Sequence, residues 1–276
     1  MHTRPIPSSA EALPVIGLGT YVGFDVAAGN RRYAQLPGVL DALFSAGGSV
    51  IDSSPMYGQA EATTGSLLGA APARPRAFIA NKVWRRGRDA GIAQMQQSMN
   101  LLQTQRIDLM QVHNLLDWKI HLATLRAWKD AGRIRYLGVT HYTSSAYTEL
   151  EAVLRAEALD FVQLNYSVAD RAAEQRLLPL AAERGVAVLV NLPLGSGALL
   201  RSVQRAALPP FAAELECTSW AQLLLKYVIG HPAVTCAIPG TGQAAHMADN
   251  ALAGKGPMPD EAMRQRILQC WNEARL

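Results

Sequence analysis

Short runs of aliphatic and β-branched residues alternate along the chain with longer segments in which apolar positions recur every three or four residues. The short runs lack the apolar–polar alternation of a sheet with one wet face, which indicates parallel strands buried on both faces. The eight predicted strands cover residues 15–17, 49–52, 77–82, 107–112, 134–140, 161–164, 186–190 and 233–238.

The longer segments predict helices that follow the strands in turn. These helices cover residues 36–46, 89–102, 121–131, 144–156, 169–184, 219–229 and 244–252, and an extra C-terminal helix covers 260–271. Alternation of strand and helix implies right-handed crossovers and a parallel sheet, and eight units favour closure of that sheet. We therefore predict an α/β fold of the (β/α)8 TIM-barrel type, with an open doubly wound sheet as the alternative.

Two segments fall outside this repeat. Residues 1–14 predict a turn-rich lid or hairpin before the first barrel strand, and residues 191–216 form a long connection. A connection of this length within a compact domain is usually either functional or disordered. No linker or low-complexity tract interrupts the chain, so residues 1–276 are interpreted as a single barrel domain.

Composition and charge narrow the class of protein. The 276 residues are 49% hydrophobic and 17% charged, which is ample material for one large core. No apolar run reaches the roughly 18–20 residues that span a bilayer, and residues 1–16 lack the apolar segment of a signal peptide. The net charge of +4 comes from scattered arginines, and a nucleic-acid surface would need a clustered stripe. Three dispersed cysteines suit a reducing compartment, so we predict a cytoplasmic protein that binds neither membrane nor nucleic acid.

Ionisable residues stand at the ends of three successive predicted strands. Asp52 ends the second strand, Lys82 ends the third, and His113 follows the fourth, while Tyr57 lies in the loop just after Asp52. Any one of these residues alone would be interpreted as a helix cap or a solvated loop residue. Because the active site of a (β/α)8 barrel lies at the carboxyl ends of its strands, the four together predict one pocket.

These four residue types suit proton transfer without a nucleophile or a metal. A phenol has a pKa near 10, and a cation about 4 Å away at an effective dielectric of about 20 contributes about 4 kcal/mol, or roughly 3 pKa units. We therefore expect Lys82 to bring the pKa of Tyr57 towards neutrality, and Asp52 to keep Lys82 charged. His113 would position a carbonyl oxygen or share its proton. No metal-binding spacing is present, and such a proton donor fits hydride transfer from a bound cofactor.

The motifs around these residues resemble the aldo-keto reductase superfamily, in its bacterial type with a short C-terminal tail. The resembling runs are LPVIGLGT at 13–20, IDSSPMYG at 51–58, NKVW at 81–84, VHN at 112–114, IRYLGVT at 134–140, IPGT at 238–241 and DN at 249–250. The resemblance implies that Asp52, Tyr57, Lys82 and His113 form a catalytic tetrad that reversibly reduces aldehydes or ketones to alcohols. It also implies that NADP(H), with NAD(H) as the alternative, binds across the barrel top without a Rossmann domain.

The resemblance further implies cofactor contacts at the remaining strand ends. Thr140 and Gln163 match the positions that hold the nicotinamide carboxamide. His141 stands where the family often has asparagine, and Asn191 stands where it commonly has an aromatic ring, so the nicotinamide ring must be held differently. The other implied contacts lie near the first strand, in the pyrophosphate loop and at the adenosine end, at Gly19, Thr20, Leu194, Ser196, Thr241, His246 and Asn250.

The expected substrate is a small carbonyl compound. Tyr21 and Trp84 match positions that line the family's pocket, and Trp118 follows His113 in a candidate loop, where packing at a helix start is the alternative. Aromatic walls suit hydrophobic aldehydes and ketones. We expect a monomer or weak homo-oligomer. Two other functions stay open: a cofactor-binding regulatory subunit with the same fold and little turnover, and a barrel enzyme of another class.

Overall fold

Parallel strands in unbroken sequence order form the centre of the protein, for which a computed structural model describes residues 1–275. Behind a hairpin of β1 (Thr3–Pro5) and β2 (Ala12–Pro14) follow β3 (Leu18–Gly19), β4 (Val50–Asp52), β5 (Phe78–Val83), β6 (Ile107–His113), β7 (Ile134–His141), β8 (Phe161–Asn165), β9 (Ala187–Asn191) and β10 (Cys236–Ala237). Each barrel strand pairs with the next, and parallel bridges from Ile16 to Ala237 and from Gly19 to Gly240 join the last strand to the first. The predicted (β/α)8 barrel is confirmed.

Helices follow the strands along the chain and flank the barrel. They are α1 (Leu36–Ser45), α2 (Ala60–Ala70), α3 (Arg88–Leu101), α4 (Trp118–Asp130), α5 (Tyr147–Ala156), α6 (Ala172–Gln175), α7 (Leu177–Glu183), α8 (Ala198–Ser202), α9 (Trp220–Ile229), α10 (Ala244–Leu252) and α11 (Glu261–Ala274). Across residues 1–275, none of the helices combines the length and the apolar character that crossing a bilayer demands.

The extra C-terminal helix is confirmed as α11, and a buried arginine holds it to the barrel. The Arg264 guanidinium donates to Glu174 Oε1 at 2.6 Å and to the carbonyl oxygen of Tyr227 at 3.2 Å. Since Glu174 lies on α6 and Tyr227 lies on α9, this one side chain ties α11 to two helices that are distant from it in sequence.

The first barrel strand lies later in the chain than predicted. Residues 15–17 form only an isolated bridge, since their backbone groups bond to the closing strand β10 on one side and do not pair with β4 on the other. The amide of Gly17 donates to the carbonyl of Ala237, and the amide of Ala237 donates to the carbonyl of Val15, each at 2.9 Å. Regular pairing with β4 begins only at Leu18.

Helix α2 was absent from the sequence prediction, because its composition does not favour a helix. Its sequence, AEATTGSLLGA, contains two glycines and two threonines, which are poor helix formers. The first of these glycines has a packing role. A Cβ on Gly65 would stand 2.0 Å from the carbonyl oxygen of Leu101 at the end of α3, so only glycine permits this contact.

The helix predicted at 169–184 is wrong as a single element, because the chain breaks at Arg176 into α6 and α7. Pro179 explains the break. A proline ring inside a helix collides with the carbonyl four residues earlier, which here belongs to Gln175 at the end of α6. The connection 191–216 is also more ordered than a loop, since it contains α8 and the short 3-10 helices Gly195–Gly197 and Pro210–Leu215.

The N-terminal hairpin closes the barrel at the end where the strands begin. Ile6 and Leu13 are buried inside the barrel against Phe78, Tyr136 and Phe161, which stand at or near the starts of their strands. The hairpin prediction is therefore confirmed, and the hairpin plugs the end opposite to the residues predicted for catalysis.

We expect Gly65→Ala to destabilise the protein by about 1–3 kcal/mol, because the added methyl group overlaps the backbone of α3. Gly69→Ala is the matched control on the same helix. Its Cβ meets only the end of the flexible Gln103 side chain, and alanine favours the helix by up to about 1 kcal/mol. Urea unfolding of both variants checks the prediction, and equal effects at the two positions would contradict it.

Candidate active site

The four residues predicted for catalysis come together at the carboxyl ends of β4, β5 and β6. Asp52 and His113 are the last residues of their strands, Lys82 is the penultimate residue of β5, and Tyr57 follows in the turn after β4. The structure therefore brings the predicted set into one site, because neighbouring parallel strands end at the same rim.

A buried ion pair forms the floor of this site. Lys82 Nζ lies 2.8 Å from both carboxylate oxygens of Asp52 and donates to the carbonyl oxygen of Ser53 at 2.7 Å. Both charged side chains are almost fully buried. Burial alone would lower the pKa of Lys82, but the charge of Asp52 and their hydrogen bonds outweigh it, so the pKa of Lys82 is raised. The lysine therefore stays charged.

Tyr57 lies beside this pair, with the centre of its ring 5.3 Å from Lys82 Nζ. The predicted lowering of its pKa is wrong as a net effect in this structure. Burial raises the pKa of Tyr57, and the attraction of Lys82 is opposed by the charge of Asp52. Burial is the largest of these effects, so the pKa of Tyr57 lies above its ordinary value and the phenol remains protonated at neutral pH.

His113 faces the same space as a neutral ring. Its Nδ1 lies 3.2 Å from Ser54 Oγ, and its ring centre lies 6.5 Å from that of Tyr57. Burial and then the positive charge of Lys82 lower the pKa of His113 to about 3. A neutral imidazole positions an oxygen through an N–H group or a lone pair, and it carries no surplus proton at neutral pH.

Polar side chains at the ends of β7, β8 and β9 extend the site across the barrel mouth. Thr140 pairs in register with Gln163, and the Gln163 amide lies 3.4 Å from Asp52 Oδ2. Asn191 donates to Asn165 Oδ1 at 2.8 Å, which leaves the buried Oδ1 of Asn191 without a hydrogen-bond partner. Asn165 was missed from the sequence, although its place at the end of β8 follows the same rule as the others.

Three further predicted contacts, Gly19, Thr20 and His141, are already engaged with neighbouring parts of the fold. The Thr20 hydroxyl donates to the carbonyl of Asp52 at 2.9 Å, and Gly19 is confined because a Cβ there would stand 2.9 Å from the carbonyl oxygen of Ile238. His141 turns onto its own loop, where Nδ1 accepts from the Thr143 amide at 3.2 Å. Of these residues, the structure thus gives Gly19 and Thr20 supporting roles beneath the site.

A sharp turn follows β9 where the pyrophosphate loop was expected. Gly195, Ser196 and Gly197 all have left-handed backbone conformations, with φ values of 55°, 52° and 81°. This backbone conformation is sterically unfavourable for serine, because of its Cβ, and is readily adopted by glycine. The amides of Gly195 and Gly197 donate to the carbonyls of Leu192 and Leu194 at 2.9 and 3.0 Å, and Leu194 packs against the core.

The loops that follow the first and last barrel strands, β3 and β10, pack against each other beside α10. Gly23 packs so closely on the backbone of Thr241 that a Cβ would stand 2.8 Å from its carbonyl carbon. Thr241 Oγ1 accepts from the amide of Gln243 at 3.1 Å, just before α10 begins. On α10, His246 is exposed and Asn250 is buried, so the predicted adenosine contacts share one helix and its N-terminal turn.

Comparison with known proteins decides the family. Residues 15–271 match the model of the Aldo/keto reductase family. The chain belongs to this family. The resemblance stated from the sequence is thereby confirmed, and it assigns the chain to a family of oxidoreductases.

Three relatives of this aldo/keto reductase share between 26% and 35% sequence identity with it over the matched parts. An aldo/keto reductase from Klebsiella pneumoniae, solved in complex with NADP and acetate, superposes with a TM-score of 0.83 at 26% identity, covering 98% of this chain and 96% of that one. An aldo-keto reductase of Bacillus subtilis is 28% identical over 67% of this chain and 59% of its own length. The NADH-specific methylglyoxal reductase of Escherichia coli is 35% identical over 32% of this chain and 26% of its own length. The matches thus span less than two thirds of these two curated relatives.

Apolar side chains surround the mouth of this aldo/keto reductase site. Tyr21 is 59% exposed, and its ring centre lies 4.9 Å from that of Tyr57. The ring centres of Trp84 and His113 lie 6.5 Å apart. Trp118 instead packs against the main core at the start of α4, which favours the packing alternative for that residue. In the described part of the chain, six of the seven exposed large hydrophobic residues stand in loops or first turns after barrel strands: Tyr21, Val22, Met56, Ile120, Tyr142 and Leu192.

We expect Asp52→Asn to lower the free energy of unfolding by about 3–5 kcal/mol, because it leaves the Lys82 ammonium buried without a counter-charge. The double variant Asp52→Asn with Lys82→Met should recover most of this loss, since it removes the unpaired charge. Urea unfolding measures both, and a double variant no more stable than the single one would contradict the prediction.

His113 makes the protein less stable in acid. Its folded pKa of about 3 lies below the ordinary value of 6.5, so the unfolded chain binds a proton first as the pH falls. The stabilisation is complete above pH 6.5 and is lost between pH 6.5 and 3, by at most about 1.4 kcal/mol per pH unit. We expect His113→Gln to flatten this decline in unfolding free energy, with curves that run parallel above pH 7. Curves that stay parallel down to pH 4 would contradict it.

Proposed function

We propose that the protein is an NADPH-dependent oxidoreductase that reversibly reduces aldehydes or ketones to alcohols, with Tyr57 as the proton donor. The observation that carries the proposal is the buried Asp52–Lys82 pair beside a protonated phenol and a neutral histidine. Among residues 1–275, no group of three or more histidine, cysteine, aspartate or glutamate side chains is arranged to bind a metal ion.

The residues at the barrel mouth fit a nicotinamide dinucleotide. Asn191 Oδ1 is buried and lacks a partner, and a carboxamide N–H₂ group would supply one. Thr140 and Gln163 stand on the neighbouring strand ends and would hold the same group. The left-handed turn around Ser196 would hold the phosphates, and Thr241, His246 and Asn250 the adenosine end. When bound, the cofactor supplies the hydride.

Each tetrad residue then has a distinct task in reduction. Tyr57, whose pKa is raised mainly by burial, holds the proton that passes to the oxygen of the carbonyl group. Lys82 lies close enough to stabilise the phenolate that remains, and Asp52 keeps that lysine charged. The neutral ring of His113 orients the substrate oxygen. The retained phenol proton keeps the enzyme at neutral pH in the form that can donate a proton for reduction.

The adenosine end supports NADP(H) without excluding NAD(H) as a second cofactor. Gly240, Thr241 and Gly242 carry no charge, and His246 is the nearest basic side chain on α10. The N-terminus of α10 favours an anion, as a 2′-phosphate would require. Both cofactors occur among the relatives, since the Klebsiella structure holds NADP and the Escherichia coli relative is named NADH-specific.

The rim indicates the class of substrate. Exposed apolar side chains concentrate around the site, with Tyr21 over Tyr57 and Trp84 beside His113. Walls of this kind suit carbonyl compounds with an aromatic or aliphatic body. Because these residues surround the site, they also provide little support for a regulatory subunit that binds its partner through a separate apolar face.

We expect Tyr57→Phe to lower kcat for 4-nitrobenzaldehyde at least 100-fold, because the phenol proton is lost while the rest of the pocket remains. Consumption of NADPH and of NADH, followed at 340 nm, measures turnover and cofactor preference together. Fluorescence titration should show unchanged NADPH binding.

Tyr33→Phe is the matched control, because its hydroxyl donates to Ser66 outside the site and its loss should leave turnover unchanged. Turnover in Tyr57→Phe equal to that of the parent would refute the assigned role of Tyr57. Tight NADPH binding without turnover in the parent would favour a regulatory subunit, and absence of cofactor binding would overturn the proposal.

A further inference from the structure

A cleft of about 440 Å³ lies at the end of the barrel where the strands begin. Its walls are the N-terminal hairpin, the 3-10 helix Arg74–Arg76 and the first residues of β5 and β6. Phe78 lines this cleft, and Lys82 stands four residues further along the same strand, about 13 Å away at 3.3 Å per residue. The cleft is therefore separate from the proposed active site.

Positive charge dominates the cleft. Four arginines and two carboxylates line it, and both carboxylates belong to one arginine: Arg135 pairs with Glu11 and, at 2.9 Å, with Asp108. The other three guanidinium groups, those of Arg74, Arg76 and Arg106, form no ion pair within residues 1–275. Three of the four arginines that line the cleft thus carry positive charges without counter-charges.

Two of these arginines are already held in position by backbone carbonyls. Arg74 Nη2 donates to Leu102 at 3.1 Å and to Gln103 at 2.5 Å, and Arg76 Nη2 donates to Phe44 at 2.6 Å. Such anchoring reduces the conformational entropy that the two arginine side chains would lose when a ligand binds. The positions of these charges are therefore set before any ligand arrives.

Arg74 also carries a buried donor with nothing to bind. Its Nη1 is inaccessible to solvent and has no hydrogen-bond partner. An unmade hydrogen bond from a buried charged group is costly, and a small rotation of the Arg74 side chain towards an anionic oxygen in the cleft would satisfy it. Guanidinium groups match the paired oxygens of phosphates and carboxylates.

We propose that this cleft binds a small molecule with clustered anionic oxygens, a phosphate ester or a polycarboxylate. The site is independent of the proposed reductase activity. Its concave shape and the two arginines held in position by backbone carbonyls favour a small molecule.

Calorimetric titration with inorganic pyrophosphate, and separately with citrate, tests the proposal. We expect Arg74→Met and Arg106→Met to weaken binding at least tenfold. Arg106 is exposed and its side chain makes no hydrogen bond in the described structure, so its replacement keeps the test valid even if Arg74→Met unfolds. Tighter binding of pyrophosphate assigns a phosphate ester, and tighter binding of citrate assigns a polycarboxylate.

Two controls separate this cleft from other anion sites. Arg184→Met removes the same charge from an exposed position outside the cleft and should leave binding unchanged. His246→Ala tests the adenosine end of the proposed cofactor site. Binding that is weakened by His246→Ala alone, binding weakened equally by Arg184→Met, or no binding of either anion would overturn the proposal.

Discussion

The ion pair between Asp52 and Lys82 is the interaction on which the site depends. Removing two charges from water costs several kcal/mol for each, and only close, complete hydrogen bonding offsets that cost. Here three oxygens, two from Asp52 and one from Ser53, lie within 2.8 Å of Lys82 Nζ and match its three N–H donors. Lys82 therefore acts on Tyr57 mainly through its charge, and the charge of Asp52 opposes that effect. The pair thus keeps a cation at the phenol without ionising the phenol in advance.

The barrel makes this pair possible because one end is filled by apolar packing and the other end holds the polar side chains. At one end, the hairpin fills the interior with Ile6 and Leu13, and the packed side chains above them exclude water from the strands. At the other end, residues on successive strands meet in register, as when Thr140 stands beside Gln163 and Asn165 beside Asn191. Because the strands are short and parallel, each contributes one or two polar side chains to a common rim. The chemistry then follows from which residues end the strands.

The residues at the strand ends could be predicted from the sequence, whereas close packing contacts and the pKa of Tyr57 could not. Asp52, Lys82 and His113 could be placed together because strand order and direction were readable from buried apolar runs. Helix α2 could not be predicted, since Gly65 is there for a close contact with a helix distant in sequence. The pKa of Tyr57 could not be predicted either. It depends on the burial of the ring and on how completely Asp52 offsets Lys82, and both are properties of the folded site.

The loops at the barrel mouth show how the fold accommodates local strain. Within residues 1–275, six of nine non-glycine residues with left-handed backbone follow barrel strands: Val22, Asn114, Leu115, Asp117, Leu192 and Ser196. Each such conformation costs about 1–3 kcal/mol and persists only where the surrounding structure enforces it. For Val22 the cost is greatest, because its side chain is branched at Cβ. The rigid barrel below can impose these conformations, and they cluster where a substrate and a cofactor would be held. The strain therefore marks the same end of the barrel as the ion pair, on independent grounds.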